Sequence, residues 1–347
     1  MREYFEGTSH SDFASVLEER VAPAVTGDPI DDPDEIRERV KQIGLPTMLE
    51  SQAISVLDIA YHDILGKRQG APVYELLADG DVTPHMPLYA SAGMYMPPRR
   101  YAEQAAAIQE RGFGGYKYRP GLGYDDDLRT IELIREAVGD GMAIMIDAHT
   151  WWKMGESSYS FTDLVDLVKE MEAFDPYWLE EPVPPADYDA YRQLAAEVNV
   201  PLAGGESEES PEGLIELAET GAVRFLQGDV RHHRGFTGCW EAVEHCREGS
   251  VTFLPHNFGT YLGLVANAHL AAAIPLEGYL EYPVFGDDTA GMYPFLLAED
   301  ILVDDLAIED GSFTVPDGPG LGVEVDMGVI EAYPHIEGPW TEFLDEE

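Results

Sequence analysis

Along this chain the spacing of apolar positions changes once, near residue 86. Before that point it is helical. Ile54, Leu57, Tyr61, Ile64 and Leu65 recur at helical spacing and Gly66 stops them. Residues 34–40 follow Pro33 and carry acid near their start, as a helix N-terminus does. Residues 70–77 predict a second short helix. Beyond residue 86, short apolar runs alternate with amphipathic stretches at roughly 25 to 30 residues per unit. The runs predict strands over residues 88–95, 115–119, 143–147, 177–181, 202–206, 225–229, 251–256 and 279–281. Helices are predicted over 128–138, 161–172, 187–198, 211–220, 239–247 and 262–273. Eight such strands predict an α/β fold closed into a parallel barrel rather than an open sheet. No Gly-x-Gly-x-x-Gly opens a helix after the first strand, so a dinucleotide fold is unsupported. After residue 300 the alternation stops, and residues 310–320 read as turn-rich and extended.

Composition narrows the setting. The 347 residues are 45% hydrophobic, enough for one large domain or a large and a smaller one. Acidic residues outnumber basic ones 66 to 21, for a formal charge of -45. Recurrent apolar strands and helices argue against acidic disorder. Dispersed carboxylates with scarce lysine suit a high-salt cytoplasm, where salt screens their repulsion. Such a surface disfavours nucleic acid and anionic membrane as partners. Cys239 and Cys246, seven residues apart on an expected helix, lack a metal-site spacing and read as packed thiols. No apolar run approaches the ~20 residues of a membrane span. The opening residues Met1 to Phe5 contain no apolar leader core. The expectation is a soluble, cytoplasmic protein.

Candidate chemistry sits where strands end. Residues 142–149 run Met-Ala-Ile-Met-Ile-Asp-Ala-His, a buried strand that delivers Asp147 and His149 to one side. Taken alone, this stretch reads first as a strand entering a turn or helix cap. Glu180 closes the next run and Glu206 the one after, 33 and then 26 residues on. In a parallel barrel those ends converge on one face. A single acidic strand end is usually surface, but three convergent carboxylates repel unless a cation holds them. Oxygen-only ligands suit Mg²⁺. The following strands lead to Asp229 and His256. An Asp beside a His orients the imidazole and raises its basicity, which makes a general base; the plainer reading is a satisfied core histidine. Glu281 closes the eighth strand. Lys117 and Arg119, two apart on the second strand, are placed to clamp an anionic substrate, with a surface strand edge as the alternative.

As a set these residues resemble the enolase superfamily and, within it, the mandelate racemase subgroup. The matching segments are Lys117-Tyr118-Arg119, Asp147, Glu180-Glu181-Pro182, Gly205-Glu206, Asp229, Pro255-His256 and Leu280-Glu281. Residues 53–66 and 319–323 extend the resemblance to about 12–335. It implies a (β/α)7β TIM-like barrel at 87–299. A truncated α+β capping domain would be built from 1–86 and 300–347. It also implies Mg²⁺ on Asp147, Glu180 and Glu206, with Asp229 and His256 as the base pair. The reaction would begin with removal of a proton α to a carboxylate. Mg²⁺, Lys117 and a protonated Glu281 would stabilise the resulting enediolate. Racemases of the subgroup resemble a two-base site with a second lysine where this chain has Arg119, which is a poor base at neutral pH. A histidine at the place of His149 resembles the general acid of galactonate-dehydratase-like members. The implied function is Mg²⁺-dependent dehydration of a sugar acid to a 2-keto-3-deoxy acid. Alternatives are a racemase or epimerase of a hydroxy acid, or an inactive metal-binding relative. Lys117, Arg119, His149 and Glu281 would contact substrate, and homo-oligomers are common in the family. Two departures stand out. The N-terminal β-meander that closes over substrate has no counterpart in the sequence. Residues 231–235, Arg-His-His-Arg-Gly, replace a segment where relatives often have a lysine and paired glycines. His232 and His233 read equally as substrate-facing or as loop residues.

Overall fold

A computed structural model describes residues 10–332, apart from 95, 154–158, 248, 277, 285–297 and 299. Eight parallel strands form one ladder: β1 (His85–Met94), β2 (Gly115–Arg119), β3 (Ala143–Asp147), β4 (Trp178–Glu180), β5 (Leu202–Gly204), β6 (Val223–Leu226), β7 (Thr252–Phe253) and β8 (Leu280–Pro283). Each of β1 to β6 pairs with the next, and β8 pairs with β1 from its other side. The register places Asp147 opposite Glu180 and Lys117 opposite Met145. The expected α/β barrel is therefore the observed architecture.

Alternation along the strands explains what lies inside. Tyr89, Met145, Trp178, Ala203, Phe225 and Leu254 pack together as a barrel core. The Tyr89 and Trp178 rings meet edge to face at 5.3 Å. Two residues further on, Met145 gives way to Asp147, Trp178 to Glu180, Phe225 to Gln227 and Leu254 to His256. The intervening residues Ile144, Ile146, Leu179 and Leu202 belong to a second core with helix residues such as Ile131, Ile134, Leu164 and Leu194. Burying each such side chain contributes about 1.5–3 kcal/mol. The polar layer thus rests on a dry, aromatic floor.

Several strands end sooner than their apolar runs suggested. Glu206, Asp229 and His256 lie beyond β5, β6 and β7 rather than closing them. Gly205, with φ at +129°, leaves the extended conformation just before Glu206, and Pro255 has no N–H for the ladder before His256. Helix Pro98–Glu110, which the apolar spacing did not suggest, fills the connection between β1 and β2. Residues 308–314 are more regular than expected. β9 (Ile308–Glu309) and β10 (Ser312–Thr314) form a hairpin, and β10 pairs antiparallel with His85 to Pro87 of β1.

Helices Pro33–Lys41 and Thr47–Gln69 make a separate small core from Ile36, Val40, Leu49, Ala53 and Ile54. The second of them docks on the barrel through polar groups. Gly235 N–H donates to Ser55 Oγ at 3.0 Å, and Thr237 Oγ1 donates to Asp58 Oδ2 at 2.5 Å. Ser55 and Asp58 so cap the start of helix Gly235–Arg247 from another part of the chain. Residues 320–321 return to the same layer. Leu321 N–H donates to Asp63 Oδ1 at 2.9 Å, and Val73 N–H donates to the Gly320 carbonyl at 2.9 Å. Gly320 has φ at +75°, and a Cβ there would lie 2.3 Å from Asp63 Oδ1. Both cysteines are buried free thiols, as expected.

His269 joins these layers. Its Nε2 donates to the Leu321 carbonyl at 3.1 Å, and its Nδ1 accepts from Tyr74 N–H at 3.3 Å. Burial pushes its pKa down to about 4 from an ordinary 6.5. The unfolded chain takes up this proton near pH 6.5 and the folded chain only near pH 4, so stability falls as pH drops between those values. By pH 5 the loss from this group is about 2 kcal/mol. Urea unfolding at pH 7 and pH 5 should show the native chain losing about that much relative to the His269→Gln variant. Parallel losses in both proteins would show that His269 does not set this slope.

Candidate active site

Five carboxylates, three cations and two histidines meet at the C-terminal mouth of the barrel. Lys117, inward-facing on β2, is completely buried. Its Nζ lies 2.6 Å from Glu180 Oε1, 2.8 Å from Glu281 Oε1 and 3.7 Å from Asp147 Oδ2. Burial opposes its charge, but Glu180, Glu281 and Asp147 outweigh that and raise its pKa. Arg119 is also buried, with Nε 3.1 Å from Asp147 Oδ2 and its guanidinium 5.0 Å from the Phe258 ring. Its Nη2 donates to Ser91 Oγ at 3.2 Å and Nη1 to the Ala92 carbonyl at 3.3 Å. The surface-edge reading of both residues is therefore excluded.

Asp147, Glu180 and Glu206 offer oxygens that lie within 4.8 Å of one another. Glu180 is held from three sides. Oε1 accepts from Lys117, and Oε2 accepts from Trp178 Nε1 at 3.0 Å and Gln227 Nε2 at 2.9 Å. Its pKa is nevertheless pushed up to about 8, by burial first, with Lys117 opposing and the Asp147, Glu281 and Glu206 charges adding. Asp147 is the reverse case. Burial raises its pKa, but His149, Lys117 and Arg119 bring it well below the carboxylate range. Buried Asp147 Oδ2 makes no hydrogen bond, although Arg119 Nε is an ion-pair partner. A crowded oxygen triad containing an acceptor with no donor is the chemistry of a hard-cation site. These residues fit a divalent ion.

The histidines contact different members of that triad, His149 meeting Asp147 and His256 meeting Glu206. His149 follows β3, and its Nδ1 is 2.6 Å from Asp147 Oδ1. His256 follows β7, four strands round the ladder. Its Nδ1 is 2.9 Å from Asp229 Oδ2 and its Nε2 is 2.7 Å from Glu206 Oε2. Burial disfavours the imidazolium, but Glu206, Glu281 and the bonds to Asp229 and Glu206 carry its pKa well above 6.5. Asp229 is held well below the carboxylate range; burial works against this, while Arg231 and His256 produce it.

Three features correct or extend the sequence reading. Glu281 was expected to carry a proton. Burial favours that form, but Lys117 and His256 overcome it and lower its pKa, and Asn257 N–H donates to Oε2 at 2.8 Å. Those contacts favour the carboxylate form of Glu281. His233 is a structural residue: Nε2 donates to the Glu208 carbonyl at 2.9 Å, and Nδ1 accepts from Asp229 N–H at 2.9 Å. His232 Nδ1 lies 3.3 Å from Gln52 Nε2 on the capping helix, and burial lowers its pKa to about 4. Gln227 escaped the sequence reading. A signal existed, since it is inward-facing two residues before Asp229, but an amide between apolar residues resembles a turn.

Residues 100–329 match the family described as enolase C-terminal domain-like, and residues 3–78 match the mandelate racemase / muconate lactonizing enzyme N-terminal domain. This chain belongs to the enolase superfamily. A D-galactarolactone cycloisomerase of Agrobacterium fabrum is 32% identical over 82% of this chain and 74% of its own length. A D-xylonate dehydratase of Haloferax volcanii is 28% identical over 95% and 81%. Five further relatives, 28–32% identical, are named as dehydratases of sugar acids, which are hydro-lyases. The crystal structure of a 3,6-anhydro-D-galactonate cycloisomerase from Zobellia galactanivorans superposes with a TM-score of 0.83 at 28% identity, over 94% of this chain and 88% of that one. The enolase-superfamily barrel thus carries an acidic triad able to hold a metal ion. Among the described residues, no helix is long and apolar enough to cross a membrane.

Ion binding to the triad should stabilise the fold by about 2.7 kcal/mol at a hundredfold excess over Kd. Thermal unfolding should therefore shift upward by several degrees in MgCl₂ or MnCl₂, and the shift should vanish in Asp147→Asn and Glu180→Gln. An equal shift in those variants would place the ions on the acidic surface instead.

Proposed function

We propose that this chain catalyses Mg²⁺-dependent elimination of water from a sugar acid, giving a 2-keto-3-deoxy acid. The observation that carries the reading is the pair His149 and His256, each in contact with a different member of the carboxylate triad. Asp147, Glu180 and Glu206 would hold the Mg²⁺, which when bound supplies positive charge to the substrate carboxylate as the α-proton leaves. Lys117 and Arg119 contribute the protein's own cations at the same carboxylate end.

His256 removes the α-proton at Nε2. Asp229 holds the opposite Nδ1–H and so favours the tautomer with its lone pair on Nε2, which would be released from Glu206 when that carboxylate holds the ion. The electron pair of the α C–H bond first moves towards the carboxylate, giving an enediolate, and then forms the new C=C bond as the β C–O bond breaks. The departing hydroxide takes its proton from His149 and leaves as water. With His149 Nδ1 facing Asp147, Nε2 is the atom that carries the transferred proton. The enol then takes up a proton to become the keto acid. Arg119 cannot serve as a second base, because Asp147 and Glu281 outweigh its burial and raise its pKa. This supports elimination over racemisation. The six relatives named as dehydratases support it too.

A second reading is cycloisomerisation, favoured by the names of one relative and one structural neighbour. It begins with the same proton removal but releases no water. We further propose that residues 1–86 and 300–347 cap a barrel spanning 87–299, and that the enzyme works as a homo-oligomer in a high-salt cytoplasm, as the acidic surface suggests.

Incubating the chain with Mg²⁺ and a panel of sugar acids and their lactones in heavy water tests these readings together. Dehydration yields keto acid with loss of one water, cycloisomerisation yields a deuterated isomer with no loss of water, and racemisation yields deuterium uptake with inversion. No reaction with any member would leave an inactive relative. In His149→Asn, keto-acid formation should fall by about 10²–10⁴-fold while α-proton exchange survives, and His256→Asn should abolish both. Undiminished elimination in His149→Asn would remove His149 from the mechanism.

A further inference from the structure

The segment that follows β6, residues 229–238, is fastened outside itself at several points. His232 meets Gln52, Arg234 Nη1 donates to Glu212 Oε1 at 2.6 Å, and Gly235 and Thr237 take their partners from Ser55 and Asp58. Arg231 instead turns back onto Asp229. Its Nε donates to Oδ1 at 3.0 Å and to Oδ2 at 3.2 Å, and its Nη2 donates to Oδ2. Its backbone N–H donates to Oδ1 at 2.8 Å, and Asn267 Nδ2 adds a further bond to that oxygen at 3.0 Å. The remaining end of the guanidinium, Nη1, donates to the Phe258 carbonyl at 2.8 Å.

The surroundings are shaped to admit this side chain. A Cβ on Gly259 would lie 2.3 Å from Arg231 Nη1, and a Cβ on Gly263 would lie 2.8 Å from its Cδ. Both glycines follow His256, so the slot is cut into the segment that carries the base. Phe258, held by its carbonyl, presents its ring to Arg119. One guanidinium therefore spans the orienting carboxylate, the segment behind the base and the residue that stacks on the substrate-facing arginine.

We propose that Arg231 is a positioning residue for the Asp229–His256 pair: its fork fixes the plane of the Asp229 carboxylate, and its far end holds residues 257–260 in place. The assignment rests on the functional reading above for its kinetic consequence, but its structural content stands apart from it. The physical reason is the softness of a carboxylate torsion, whose terminal sp³–sp² rotation is broad. A rigid fork of donors removes that freedom, and a lysine cannot replace it because its ammonium is a single point. A turned Asp229 would aim Oδ2 away from Nδ1 and let the imidazole of His256 swing.

Two readouts test this, one of which needs no turnover. In ¹⁵N-labelled protein the His256 Nδ1–H resonance, assigned by its loss in His256→Asn, reports the bond to Asp229. It should broaden or disappear in Arg231→Met and in Arg231→Lys, and millimolar guanidinium should restore it in Arg231→Ala. Arg231→Lys keeps the charge and serves if the methionine variant does not fold. In the kinetic arm, kcat for α-proton exchange should fall by about 10²-fold with KM little changed, as displacement of a catalytic group predicts. A merely structural arginine would lower the unfolding temperature and leave both readouts intact. An unchanged resonance in the two folded variants overturns the proposal whatever the kinetics. If the native chain exchanges no sugar acid, the functional reading fails and the resonance alone decides the role of Arg231.

Discussion

The constraint on which this site depends is the burial of Lys117 among acids. An ammonium this deeply buried is stable only because Glu180 accepts its hydrogen bond, Glu281 pairs with it at 2.8 Å and Asp147 stands close by. Isolated, such a charge costs many kcal/mol to bury; paired, it organises its neighbours. Counted with both histidines neutral, Asp147, Glu180, Glu206, Asp229 and Glu281 exceed Lys117, Arg119 and Arg231 by two charges. One divalent ion supplies that difference. The shortfall adds to burial at Glu180, whose pKa rises to about 8 despite a lysine bond, and shows in His256, whose Nε2 faces Glu206. An ion bound at the triad would relieve both effects.

Much of this was legible because strands write their geometry in alternation. Asp147, Glu180 and Glu281 are encoded simply: a short apolar run with an acid at its end. The barrel was legible for the same reason, since its repeating unit is local. Where the local rule failed, a second force had intervened. Glu206 and His256 lie past their strands because Gly205 and Pro255 end the ladders first. Helix Pro98–Glu110 went unseen because its apolar positions are largely alanine and it opens on one proline and two arginines, with Pro97 before them. The protonation of Glu281 could not be read at all, because it depends on how far Lys117 reaches across the barrel.

The polar docking of the capping helix was illegible for a different reason. Ser55 and Asp58 look like ordinary helix residues, and their partners lie some 180 positions away. Yet they supply the N-terminal caps of a barrel helix whose preceding loop carries Asp229, Arg231 and His232. Capping layer and base are thus linked through one short segment. A substitution at Asp58 changes the footing of that segment as well as the stability of the interface.

The pairing of β10 with the first strand carries a consequence for how the chain reaches this state. Residues 312–314 complete the edge of β1 near His85, and Gly320 and Leu321 lock against Ala71, Val73 and Asp63. On a ribosome, strand β1 emerges more than two hundred residues before the segment that covers it. Contacts so distant in sequence slow folding, because the chain must close a long loop before they form. Throughout synthesis the nascent barrel carries an exposed strand edge, the feature most prone to pairing with other chains. Where salt screens the charge, it is the hydration of the dispersed carboxylates, rather than their repulsion, that opposes such pairing during that interval.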